Sequence, residues 1–363
     1  MKLFECQHCG QLVYFENTHC ERCGHLLGYL PEQAELSAVE ATGQDTWRAL
    51  AAPGPLFRFC ANSNHDACNW LVADDSGDAF CRACRLNRTI PDLDSGNNRL
   101  LWQRMEAGKH RLVYALLRLG LPVVSKHDDA KGLAFDFLSD AGSAFQEGPQ
   151  VMTGHAEGLI TINLAEADDV ERERHRRDMA ETYRTILGHF RHESGHHYWE
   201  RLVRDGVWLD AYRELFGDER RDYGEALKAH YAGGPPAGWQ ERFVSTYASS
   251  HPWEDFAETW AHYLHIVDTL ETAEVYGLRI EAKTGRTAPL AMAIDYDPYR
   301  QDDFDALMAA WLPLTQAVNS LNHSMGQPDL YPFVLAPAVV GKLRFVHGLV
   351  HQPVQQSWKS MTD

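Results

Sequence analysis

Long apolar runs are missing from this 363-residue chain: none approaches the ~18 residues that a membrane-spanning helix needs. The opening MKLFECQHCG lacks the apolar core of a secretion signal, so no export is expected. Basic charge is scarce. Against 51 Asp and Glu stand 34 Lys and Arg, and the net charge of −17 argues against general affinity for nucleic acid or anionic membrane. Residues 1–95 share the bias, with seven basic and thirteen acidic side chains. Internal repeats and low-complexity tracts are absent from the sequence, and so is any cysteine after Cys84. What remains is ordinary for a globular protein of this length, with 44% hydrophobic and 23% charged residues.

The eight cysteines fall into two sets of four. Cys6 and Cys9 in CQHC and Cys20 and Cys23 in CERC are each followed by a glycine, Gly10 and Gly24. A glycine there lets the backbone turn back so that amides face the thiolates. Four soft thiolates so spaced make a closed tetrahedral site suited to Zn²⁺. The second set is looser: Cys60 and Cys68 in CANSNHDAC, then Cys81 and Cys84 in CRAC, with His65 as an alternative fourth ligand. Thiolate ligation of this kind suits a reducing compartment, so the expected location is the cytoplasm. Residues 31–55, polar, Ala-rich and ending in Pro and Gly, read as a linker with a short helix.

Further along, apolar spacing predicts a helix over 99–118, strands over 132–139 and 158–168, and a helix from about residue 174 to 202 through Met179, Tyr183, Ile186, Leu187 and Phe190. Pro252 marks another helix start, and helices are expected around 304–321 and 337–350. The fold class is α+β: zinc-ribbon modules, then a mostly helical domain with a small sheet, then a helical C-terminal part. The segmentation is 1–30 ribbon, 31–55 linker, 56–95 second Cys₄ module, 96–270 catalytic domain and 271–363 C-terminal helices.

The chemistry centres on LGHFRHESGHHYWERL, where His192-Glu193-Ser194-Gly195-His196 fits H-E-x-x-H. A helix places His192 and His196 on one face, able to share a Zn²⁺, with Glu193 beside them as general base. Gly195 inside a helix costs about 1 kcal/mol relative to Ala, which suggests close approach of another element. A third histidine six residues on is missing, since that position is Leu202. The segment WEDFAETWAHYLH supplies a carboxylate instead: Glu254 as third ligand and Glu258 as the carboxylate that orients a ligand histidine. His262 and His265 are rivals. His197 points away from the ligand face, whereas His189 lies nearer to it, although a plain surface role fits His189 better.

These features, with CRACRLNRTIPDL and FECQHCGQLVYFENTHCERCG, resemble a bacterial family of zinc-binding metallopeptidases in which a zinc ribbon precedes an H-E-x-x-H domain. The resemblance covers nearly the whole chain. The catalytic part is also similar to glutamate-type zincins, in which the first glutamate of a Glu-x-Phe-Ala-Glu helix is the ligand; that favours Glu254 over Glu258. The resemblance implies a peptide or protein substrate and three Zn²⁺, one catalytic and two structural. It implies water attack on an amide with Glu193 as base and Tyr247 as donor to the oxyanion, and an edge strand near GLITINL that pairs with extended substrate. The competing reading is a non-catalytic zinc-ribbon adaptor.

Overall fold

The computed structural model describes residues 2–139, 153–168, 185–283 and 290–351. It divides into two units, residues 1–193 and 194–363.

The first unit begins with a hairpin, β1 (Phe4–Glu5) against β2 (Leu12–Val13). A five-stranded antiparallel meander follows: β3 (Leu26–Leu30), β4 (Glu35–Ala41), β5 (Trp47–Ala49), β6 (Leu56–Phe59) and β7 (Leu71–Ala73). Leu30, Val39, Ala49, Phe57 and Leu71 form its buried core. The expected linker with a short helix is therefore corrected: residues 31–55 supply β4 and β5. Their Ala-rich composition favours a helix in isolation, but Leu36, Ala38 and Ala49 are fully buried in the sheet, and packing against neighbouring strands outweighs local propensity.

After β8 (Asn87–Thr89), helix α1 (Asn98–Arg118) crosses over to β9 (Ala134–Leu138), which runs parallel to β8. Two more strands, β10 (Gly154–Ala156) and β11 (Leu159–Asn163), complete a sheet of order β10-β11-β9-β8. Here the sequence expectation fails in a second way. GLITINL itself is no edge: β11 pairs with β10 over Leu159–Thr161 on one side and with β9 on the other, and the strand at that edge among the described residues is β10. Beyond β11 the chain turns through a 3₁₀ segment, Leu164–Ala167, which takes the end of the expected longer strand.

Helix α2 (Ile186–Leu202) carries the four histidines. Met179, Tyr183 and the expected helical start near residue 174 lie outside the described residues. The unit boundary falls within this single helix. In the first unit Phe190 packs edge-on against Phe135 and Phe137, and Gly108 of α1 leaves room for Ile186 and Phe190; a Cβ at Gly108 would meet Ile186 Cγ2 at 2.8 Å.

The second unit is built around α5 (Pro252–Val275), which follows α3 (Leu209–Phe216) and α4 (Tyr223–Gly233). The His251 side chain accepts from the Trp253 amide, capping α5 with Pro252 at its first position. Phe256, Trp260, Tyr263, Leu264, Val267 and Leu270 are fully buried, as expected of a central helix apolar on most faces. A short hairpin, β12 (Arg279–Glu281) with β13 (Ala291–Ala293), precedes α6 (Phe304–Ser324) and α7 (Pro337–His351). Both helices fall where the sequence places them; the hairpin was not anticipated. Among the described residues no helix is long and apolar enough to cross a membrane.

Candidate metal centres and active site

The first four cysteines converge. Cys6 Sγ lies 3.6 Å from Cys23 Sγ, and Cys9 Sγ 3.6 Å from Cys20 Sγ, with all four within 4.8 Å of one another. A tetrahedral zinc with Zn–S bonds of about 2.3 Å needs sulfurs about 3.8 Å apart, so the set fits that ion. Gly10 and Gly24 adopt φ of +70° and +78°, conformations in which a Cβ would be strained, and each closes a turn onto the first cysteine of its pair.

Cys60, Cys68, Cys81 and Cys84 also converge, and all are buried. Cys68 and Cys81 are 3.7 Å apart, and the amides of Trp70 and Cys81 donate to Cys68 and Cys60. His65 is not part of this group. Its ring packs on Trp102, and the histidine beside the thiolates is His110 of α1, whose Nε2 lies 3.3 Å from Cys68 Sγ and 3.7 Å from Cys84 Sγ. Lys109 and Glu106, both fully buried, pair at 2.8 Å next to it. The α1 spacing showed only an apolar stripe, and nothing local linked His110 to cysteines 26 and more residues away.

The third group is His192, His196 and Glu254, whose ligand atoms lie within 4.8 Å of one another. His196 Nε2 stands 3.6 Å from Glu254 Oε2. Zinc with nitrogen and oxygen ligands at about 2.0–2.1 Å needs donors about 3.4 Å apart, so two imidazoles and a carboxylate here suit zinc with a position left open. Tyr223 at the start of α4 donates to Glu254 Oε1 at 2.6 Å, which turns the other oxygen towards His196. Sequence reasoning missed Tyr223, since it lies 31 residues before Glu254 in an unremarkable stretch.

Gly195 meets the expected close neighbour. A Cβ there would lie 2.9 Å from Ala257 Cα, so the absent side chain lets α2 and α5 cross with backbones nearly touching. Ser194 and Trp260 reinforce the crossing through a 3.1 Å hydrogen bond. At the start of α5, Asp255 forms a buried ion pair with Lys342 of α7 at 2.5 Å.

Glu258 accepts from Ser245 at 2.7 Å. Tyr247 sits on a 3₁₀ turn, Tyr247–Ser249; burial, with Glu254 and Tyr223 nearby, pushes its hydroxyl well above the ordinary tyrosine range, so it remains a proton donor. His262 and His265 lie outside the ligand group. His262 is a packing residue, hydrogen-bonded to Tyr331 at 2.7 Å and lowered by burial to about 4. His197 is buried against Tyr198. His189 is not the surface residue expected: its Nδ1 lies 2.5 Å from Glu166 Oε2 and its Nε2 3.3 Å from Glu193 Oε1.

Residues 98–349 match the family described as "Putative zinc-binding metallo-peptidase", which spans well over half the chain. The chain belongs to this family. Residues 3–95 match a zinc-ribbon domain, in agreement with the cysteine geometry. Uncharacterized proteins of Mycobacterium bovis and of two strains of Mycobacterium tuberculosis are each 42% identical over 354 residues, covering 97% of this chain and 96% of each relative. No solved structure matches this chain.

Proposed function

We propose that the protein is a zinc-dependent peptidase of the glutamate type, with His192, His196 and Glu254 as ligands and Glu193 as general base. The observation that carries this reading is the convergence of the two helix-spaced histidines with Glu254, whose second oxygen is held by Tyr223. Zinc, when bound, supplies Lewis acidity to a peptide carbonyl and to water at neutral pH. Glu193 takes the proton from the attacking water and passes it to the leaving amine. Tyr247, kept protonated, donates to the oxyanion. Glu258 acts on the site by positioning, and the two cysteine centres are structural zincs. The net charge of −17 favours a peptide substrate over nucleic acid, and two thiolate zinc centres favour a reducing compartment such as the cytoplasm.

A peptide-library digest by the intact protein tests the reading. Cleavage that stops with chelator and returns with added Zn²⁺ is expected. Zinc retention at all three centres with no cleavage of any library member would favour the adaptor instead.

A further inference from the structure

His189 joins two carboxylates from different parts of the first unit. Glu166 belongs to the 3₁₀ turn after β11, and Glu193 lies one helical turn beyond His189 on α2. The Glu193 side chain is buried, and the side chains of Glu166 and His189 are mostly buried, at 13% and 19% exposed. Glu166 is fixed in turn: its Oε1 accepts from the Thr153 hydroxyl, and that hydroxyl accepts from the Asn163 amide at 3.0 Å. The Asn163 side chain caps the same turn by accepting from the Ala165 amide at 2.9 Å. The end of β11 therefore reaches α2 through a continuous chain of polar contacts.

An ionised carboxylate only accepts hydrogen bonds, so an imidazole donating to one at each ring nitrogen must carry both protons. We propose that His189 is a positioning residue for the peptidase: an imidazolium that holds the Glu193 carboxylate in one orientation and is itself aimed by Glu166. The inference rests on the function proposed above. Its geometric basis is the pair of contacts at 2.5 Å and 3.3 Å.

The electrostatics agree. Burial alone would lower the His189 pKa, but Glu166 and then Glu193 outweigh it and hold the group up to about 10. From α1, Arg104 reaches this region, donating to the Ala167 carbonyl at 3.0 Å. His189 is thus charged throughout the neutral range. A freely rotating Glu193 would sample orientations that cannot reach the attacking water, and fixing it removes that loss. The sheet then has a role in this site besides burying α2: its β11 end supplies the anchor.

The test combines nuclear magnetic resonance with a mutant cycle. In wild-type protein with specifically labelled histidine, both His189 ring nitrogens are expected to be protonated at pH 8. A neutral His189 there overturns the proposal whether or not cleavage is detected. In cleavage assays, His189→Ala and Glu166→Gln should lower kcat by about 10–100-fold, with zinc content and KM kept. Against a Glu193→Gln background, His189→Ala should cause no further loss, because it acts through that carboxylate. Full kcat in His189→Ala, or an equal loss in both backgrounds, contradicts the positioning role. Glu193→Gln with wild-type cleavage would instead sink the peptidase reading itself, so the two failures are told apart.

Discussion

Glu193→Gln is expected to keep zinc bound while turnover falls by about 10²–10⁴-fold, the usual contribution of a positioned general base. Glutamine keeps the size and polarity of the side chain but cannot take a proton from water. Because Glu193 is not part of the His192, His196 and Glu254 group proposed to hold the metal, the metal has no reason to leave. Steady-state kinetics on a peptide found in the library digest, with zinc content measured on the same sample, decide the matter. A variant that cleaves as well as wild type removes hydrolysis from the account. A variant that loses its metal would mean Glu193 is a ligand and that the helix face has been assigned wrongly.

Glu254→Ala should have the second large effect, on metal as well as on rate. Its Oε2 faces His196, and its Oε1 is tied to Tyr223. Removing the carboxylate leaves two imidazoles, too few donors for a firm zinc site, so occupancy and activity should fall together. Glu258→Ala should do less, weakening zinc by about 10–100-fold if its role is orientation. Loss of zinc from the Glu258 variant with full occupancy in Glu254→Ala would reverse the assignment along α5.

The difference between these two glutamates shows how far the sequence reaches. Candidate ligands set by local spacing were legible: CQHC and CERC fix their own geometry, and the four-residue step from His192 to His196 is about one turn of helix. Glu254 required pairing two distant segments, and the Glu-x-Phe-Ala-Glu pattern supplied that. The residues that hold the site were not legible. Tyr223, Glu166 and His110 reach their partners only through tertiary packing, and none carries a motif. His189 stands in the motif stretch itself, but its meaning depends on Glu166, 23 residues earlier.

The fold divides along the same line. Helices with long apolar periodicity, such as α1, α6 and α7, stood where expected. The strands of residues 31–55 did not, since Ala-rich composition says helix and only the neighbouring strands make Leu36 and Ala38 core residues. GLITINL reads correctly as a strand, but it is not itself the edge strand expected near it, a place that β10 takes. A strand's position within a sheet is decided by its partners, here β10 and β9, and its own sequence holds no record of them.

The central claim is a third zinc, held by His192, His196 and Glu254 beside the two cysteine centres. Elemental analysis of the intact protein measures it directly. Three zinc ions per chain are expected, falling to two in His192→Ala and in His196→Ala, with the third the first to yield to chelator because its site keeps an open position. Two zinc ions in wild type, unchanged by either histidine substitution, would contradict the account.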